Sequence, residues 1–194
     1  MKTNENFQLS TFNFQPDKRL AVVILNWNGR ALMEEFLPSV VACTPGEWAD
    51  VIVADNGSTD DSIEMLKTKF PTVGIIRLDK NYGFAEGYNQ ALKHIGHEYT
   101  VLLNSDVEVT PGWLDAPIAA LDADKTIAGV ACSFDRLLRH IHSGIALRGS
   151  GKQRLCEHMP SGKPIASAAC SSGRFCIPII RVSPSAGVGY RKRE

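Results

Sequence analysis

Three apolar runs in this chain each stop on side chains able to do chemistry. Ala21-Val22-Val23-Ile24-Leu25 leads into Asn26-Trp27-Asn28-Gly29, Val51-Ile52-Val53-Ala54 into Asp55-Asn56-Gly57-Ser58, and Val101-Leu102-Leu103 into Asn104-Ser105-Asp106. Asp55 and Asn56 can together accept and donate hydrogen bonds, which suits the imide edge of a pyrimidine or the hydroxyls of a ribose. Asp106, beside Asn104 and Ser105, offers a carboxylate to a hard divalent cation whose other positions water and diphosphate oxygens would fill. Such an ion would neutralise a departing nucleoside diphosphate.

Short aliphatic runs bounded by turn formers read as buried strands of a parallel sheet, and open α/β folds bind ligands at the carboxyl ends of such strands. The polar residues therefore converge on one crevice. The pattern predicts a strand over 20–25, a helix over 31–42, a strand over 51–54, and a helix opened by Ser58 or Thr59. Asp60 and Asp61 fall where that helix's dipole favours negative charge. Ile63, Leu66 and Phe70 give it an apolar stripe and Pro71 stops it before a strand over 73–78. A further helix over 84–95, capped by Gly96, precedes a strand over 99–103. Strands alternating with helices predict right-handed crossovers and a mainly parallel sheet.

The 194 residues, 44% apolar and 22% charged, suit one globular domain. Residues 1–17 are polar and carry no signal-peptide core, and no stretch approaches a spanning helix, so a cytoplasmic protein is expected. Five cysteines without paired C-x-x-C spacing fit a reducing compartment. The net charge of zero hides a division: residues 1–131 hold 10 Lys and Arg against 18 Asp and Glu, whereas residues 132–194 hold 11 against 3.

Four motifs resemble the nucleotide-binding half of a family 2 glycosyltransferase, the inverting type with a GT-A fold. They are Val23-Ile24-Leu25-Asn26-Trp27-Asn28-Gly29, Val53-Ala54-Asp55-Asn56-Gly57-Ser58-Thr59-Asp60, Asn81-Tyr82-Gly83-Phe84-Ala85-Glu86-Gly87-Tyr88-Asn89 and Leu102-Leu103-Asn104-Ser105-Asp106-Val107-Glu108-Val109. They stand in the family's order over residues 20–131 and are closest to the rhamnosyltransferase-like branch. The resemblance implies an α/β three-layer sandwich, Rossmann-like, with a nucleotide-sugar donor. It places the first strand end, with Leu25, Asn26 and Asn28, and the Asp55-Asn56 pair at the base and ribose, counts Ser58 among the donor-binding residues, and puts Gly83 and Asn89 beside the diphosphate and sugar. Asn104-Ser105-Asp106 replaces the Asp-x-Asp motif, so Asp106 would be the metal-binding carboxylate for Mn²⁺ or Mg²⁺. The implied acceptor is a cell-surface polysaccharide or a lipid-linked glycan, reached from the cytoplasm by peripheral association with the inner face of the membrane.

Other residues carry blander readings. Trp27 and Trp113 are expected to pack, Asp60 to serve a helix terminus, and Glu108 to be solvated. Arg148-Gly149-Ser150-Gly151-Lys152 lacks the first glycine and the final Ser or Thr of a phosphate loop. His140, His142, Cys156 and His158 match no structural zinc spacing. No Gly-x-Gly-x-x-Gly follows the first strand, which disfavours a dinucleotide-binding domain, and a sugar nucleotidyltransferase would need a glycine-rich basic loop there. The tail Arg191-Lys192-Arg193 has no interleaved aromatics, so no nucleic-acid partner is expected.

The resemblance also exposes a gap. Inverting transfer needs a base for the acceptor hydroxyl, and residues 132–194 hold only Asp135, Glu157 and Glu194 as carboxylates, none in the family's acidic setting. The sequence therefore divides into an N-terminal extension over 1–19, a donor-binding domain over 20–131, and an atypical basic segment over 132–194 of truncated or frameshifted character. The expected sheet lacks its acceptor-side strands and leaves an apolar edge open. A non-catalytic nucleotide-sugar-binding remnant is the alternative reading.

Overall fold

A computed structural model describes residues 9–10, 18–135, 140–148 and 176–181, with side-chain surroundings for 18–130 and 179–181. The strands and helices run β1 (Leu9–Ser10), β2 (Leu20–Asn26), α1 (Arg30–Cys43), β3 (Ala49–Asp55), α2 (Ser62–Lys69), β4 (Gly74–Arg77), α3 (Phe84–Leu92), β5 (Tyr99–Leu103), α4 (Asp115–Ala123), β6 (Ile127–Asp135), β7 (His140–Arg148) and β8 (Cys176–Arg181). They build one sheet in the order β1-β4-β3-β2-β5-β8-β6-β7.

The heart of the sheet is parallel, as the alternation of strands and helices predicts: β4, β3, β2 and β5 pair side by side in one direction. Successive residues of β2 feed opposite faces, because side chains alternate along a strand. Leu20, Val22 and Ile24 join a core with Met33, Leu37 and Val40 of α1, Leu66 of α2 and Leu121 of α4. Ala21 and Val23 face the other way, into a core with Tyr88 and Ala91 of α3 and with Ile95. Both faces of the sheet are thus covered, and among the described helices α3 is the one on the second.

Antiparallel strands flank this parallel heart. β1 pairs with β4 on one side, and on the other β8 lies between β5 and β6 with β7 outside. The edge of β5 that the sequence reading leaves open is therefore taken by β8. Ile177, Ile179 and Ile180 make that strand a short apolar run, and Pro178 is accommodated because the pairing with β5 spans only Ile179 to Arg181. Pro178 itself stands opposite Ala131 of β6.

Two helix boundaries differ from expectation. α2 opens at Ser62 rather than beside Ser58, because the Ser58 hydroxyl serves a neighbouring loop. α3 ends at Leu92, and the chain then tightens into turns with Lys93, His94 and Ile95 amides donating three residues back. The phosphate-loop-like segment beyond Arg148, Cys156, Glu157, His158, Arg191, Lys192, Arg193 and Glu194 lie outside the described residues.

Candidate functional site

The three polar segments meet at the carboxyl edge of the parallel strands. β2 pairs with β3 as far as Asn26 opposite Asp55, but with β5 only as far as Ile24 opposite Leu103. The crevice opens where β2 and β5 part, with the chain running on from β2 to β3 on one side of it and from β5 to β6 on the other. That is where open α/β sheets take ligands.

One wall is built from the ends of β2 and β3, tied together by hydrogen bonds that converge on the Asp55 carboxylate. Asn26 Nδ2 donates to Asp55 Oδ1 and to Ser58 Oγ, each at 3.2 Å. The Ser58 amide donates to Asp55 Oδ2 at 3.2 Å, which fixes the turn after β3. Asp55 is fully buried and Asn26 nearly so. Asn26 Oδ1 alone of this group has no hydrogen-bond partner among the described residues. Leu25 is half-buried beside them.

Asn28 adopts a left-handed backbone, φ 49°, a conformation asparagine tolerates better than most residues. Its exposed side chain reaches across to the next loop, where Oδ1 accepts from the amides of Thr59 at 2.8 Å and Asp60 at 3.3 Å. The Asn28 amide donates to Ser58 Oγ at 2.8 Å. In return Asp60 Oδ2 accepts from the Arg30 amide at 3.2 Å, so the residue expected to serve α2 also caps the first turn of α1. Burial pushes the Asp60 carboxyl up, but bonds from Ser62 and from the Arg30 and Ser62 amides outweigh it and hold it below its ordinary range.

Asn56 is buried and spends its side chain on the loop before α3. Oδ1 accepts from the Tyr82 amide at 2.9 Å, while Nδ2 donates to Asn81 Oδ1 and to the Gly83 carbonyl, both at 3.0 Å. Gly57 lets this loop close in. Its φ is +73°, and a Cβ there would stand 2.6 Å from the Lys80 carbonyl carbon. Gly83, at φ +76°, turns the chain into α3 and faces open space. Asn89 lies one helical turn in, its Nδ2 donating to Glu86 Oε2 at 3.2 Å.

The opposite wall is the end of β5. Asn104 and Ser105 are half-buried and Asp106 is exposed. The segment beyond is anchored by buried Val107 and Val109 and by the Val109 amide, which donates to Ser39 Oγ of α1 at 3.2 Å. Glu108 between them is exposed, as expected. Trp113 is buried, as expected, but Trp27 is not: it is 57% exposed, and Phe84 is 58% exposed.

Two residues were not singled out from the sequence. Asn81 shares the Asn56 bonds, and Tyr88 is sealed beneath the crevice with its hydroxyl donating to the Leu103 carbonyl at 2.8 Å. Burial raises the Tyr88 hydroxyl well above its ordinary value; the Leu25 amide opposes this and the Asp106 charge adds to it. A tyrosine on the apolar face of α3 was the available signal, since a buried phenol needs a partner.

No group of three His, Cys, Asp or Glu side chains is gathered for a metal among the described residues. Asp106 nonetheless fits a hard cation shared with a ligand, because it is exposed, oxygen-bearing and flanked by Asn104 and Ser105. No helix among the described residues is long and apolar enough to cross a membrane.

A parallel βαβ heart, helices on both faces and a polar crevice at the carboxyl edge define a GT-A-like α/β domain. The chain belongs to glycosyl transferase family 2, whose family profile matches residues 21–163. N-acetylglucosaminyl-diphospho-decaprenol L-rhamnosyltransferase of Mycobacterium tuberculosis is 27% identical over 112 residues, covering 52% of this chain and 36% of its own length. Undecaprenyl-phosphate 4-deoxy-4-formamido-L-arabinose transferase of Klebsiella pneumoniae is 26% identical over 122 residues, covering 60% and 37%. The chain thus spans a little over a third of the length of these curated relatives.

Solved structures agree on the fold. The mannosyltransferase PcManGT of Pyrobaculum calidifontis, in complex with GDP-Man and Mn²⁺, superposes with a TM-score of 0.54 at 24% identity, over 64% of this chain and 38% of that one. S. aureus TarS superposes with a TM-score of 0.57 at 19% identity, over 84% and 47%.

Proposed function

We propose that this chain binds a nucleoside-diphosphate sugar, dTDP- or UDP-linked, and serves transfer of its sugar to a cell-surface polysaccharide or lipid-linked glycan. The observation that carries this reading is the meeting of the β2, β3 and β5 ends at one crevice whose exposed carboxylate is Asp106. The network of buried Asn26, Asp55 and Asn56 with half-buried Ser58 shapes the base and ribose side. Leu25, Asn28 and the open indole of Trp27 line its rim. Gly83 and Asn89 stand toward the diphosphate and sugar, and Asn104, Ser105 and Asp106 opposite them.

Asp106 is the residue that would hold a divalent cation, Mn²⁺ or Mg²⁺, bound also by the donor diphosphate; when bound, the ion screens the negative charge of the leaving group. That a relative's solved structure holds Mn²⁺ with GDP-Man supports the assignment. In inverting transfer the acceptor oxygen forms its bond to the anomeric carbon from one face as the bond to the diphosphate breaks on the other, and the hydroxyl proton passes to a base. The names of the curated relatives point to lipid-linked acceptors, which the chain would meet at the inner face of the membrane. The alternative, a nucleotide-sugar-binding remnant without turnover, rests on the scarcity of carboxylates after residue 131: Asp135, Glu157 and Glu194 alone.

Calorimetric titration with UDP, dTDP and GDP, each with and without Mn²⁺, tests the reading. Metal-dependent binding of a pyrimidine diphosphate is expected. Failure of all three nucleotides to bind would overturn it.

A further inference from the structure

We propose that Tyr88 is the positioning residue that holds the two walls of the crevice apart and so fixes where Asp106 presents its carboxylate. The inference rests on the reading of Asp106 given above. Beyond Ile24 and Leu103 the ladder between β2 and β5 ends, whereas β2 stays paired with β3 through Asn26 and Asp55. The Leu25 amide and the Leu103 carbonyl are the groups next in line to pair. The Tyr88 hydroxyl stands between them, receiving from Leu25 N at 3.4 Å and donating to Leu103 O at 2.8 Å.

A side chain from α3 therefore replaces a rung of the sheet. A phenol hydroxyl can do this because it both donates and accepts, leaving neither buried backbone group unpaired. Its position is set by packing rather than by the strands, since the ring is 1% exposed and shares a core with Ala91, Ile95, Val23 and Leu102. Direct pairing of β2 with β5 at this level would draw the walls together. With the hydroxyl in place they diverge, and Asp106 follows Leu103 by one short turn.

Tyr88→Phe in the full chain deletes one oxygen and keeps the ring. We would titrate the bound pyrimidine diphosphate at graded Mn²⁺ and follow amide hydrogen exchange at residues 103–107 without metal. The variant should need about tenfold more Mn²⁺ for half-maximal binding, the usual scale for a residue supporting a metal ligand. Metal-free affinity should hold, and exchange at 104–107 should quicken. Unchanged Mn²⁺ demand and exchange would overturn the proposal, as would an equal loss of affinity with and without Mn²⁺, which marks a role in folding only. If the phenylalanine variant does not fold, Tyr88→Met repeats the test with similar apolar volume and no hydroxyl. Should Asp106→Ala leave Mn²⁺ demand untouched, the Asp106 reading and this inference fall together. Should Asp106→Ala abolish it while Tyr88→Phe does not, this inference falls alone.

Discussion

The two edges of the parallel sheet are held by different forces. At the carboxyl edge, loops are stitched mainly by amides and hydroxyls: Asn26, Asn28, Asn56, Ser58 and Asn81 bond to one another and to backbone groups, and the carboxylates of Asp55 and Asp60 accept from side-chain and backbone donors rather than from cations. At the amino edge charge does the work. Arg19 Nη2 meets Asp122 Oδ1 at 2.7 Å, its Nε meets Glu98 Oε2 at 2.9 Å, and the Tyr99 hydroxyl donates to Asp122 at 2.7 Å. Arg19 and Arg181 both lie over the Tyr99 ring, each 5.3 Å from its centroid, and Arg181 donates to the Leu121 carbonyl. Nearby, Asp50 binds Lys18 at 2.7 Å and His97 at 3.0 Å. The amino edge neutralises its charges internally. The carboxyl edge leaves Asp106 exposed and without an ion pair among the described residues, and an open carboxylate on the rim is what a metal-bridged ligand requires.

If this contrast is right, perturbing the two edges should have different signatures. The largest effect is expected from Asp106→Ala, which should weaken metal-dependent nucleotide binding by on the order of 100-fold or more while leaving thermal stability unchanged. Calorimetry and a melting curve on the same sample would check both halves. Next, Asn26→Ala removes donors from buried Asp55 and from Ser58 and should cost about 2 kcal/mol by urea unfolding, with little dependence on salt. A strong salt dependence would break the comparison.

At the amino edge the expected effect is smaller and depends on pH. Hydrogen bonds from Arg19 hold the Glu98 and Asp122 carboxyls below their ordinary range. Carboxyls depressed in the folded state stabilise above the unfolded value, about 4, and lose that contribution as pH falls through the lower folded value. Arg19→Gln should therefore flatten the fall of melting temperature between about pH 4 and pH 2, by no more than about 1 kcal/mol because the pair is partly exposed. The smallest change in stability, within about 0.5 kcal/mol, is expected for exposed Trp27→Ala, while nucleotide affinity falls several-fold through loss of a stacking face.

Much of this was legible in the residues. β5 runs from Tyr99 to Leu103 as its aliphatic content and flanking polar turn dictate, and the strand-end segments do converge. Cross-loop bonding was less legible: Ser58 looks like a helix cap because a hydroxyl before an apolar stripe usually is one, yet Asn26 and Asn28 claim it from another strand. Trp27 reads as a packing residue because indoles usually are, yet its side chain stands exposed beside the left-handed Asn28. β8 was hidden for a different reason. A short isoleucine run containing Pro178 gives no local sign that its partners, Tyr99 to Val101, lie far back in the chain.

That strand has a consequence for how the protein is made. Ribosomal synthesis delivers β5 and β6 well before β8, which must then enter between them, so the middle of the sheet cannot close until residue 181 has emerged. Contacts of such long sequence separation form slowly. The nascent chain is thus expected to hold two unpaired strand flanks for the time it takes to make the intervening stretch, a window in which a chaperone that shields exposed backbone would raise the yield of folded protein.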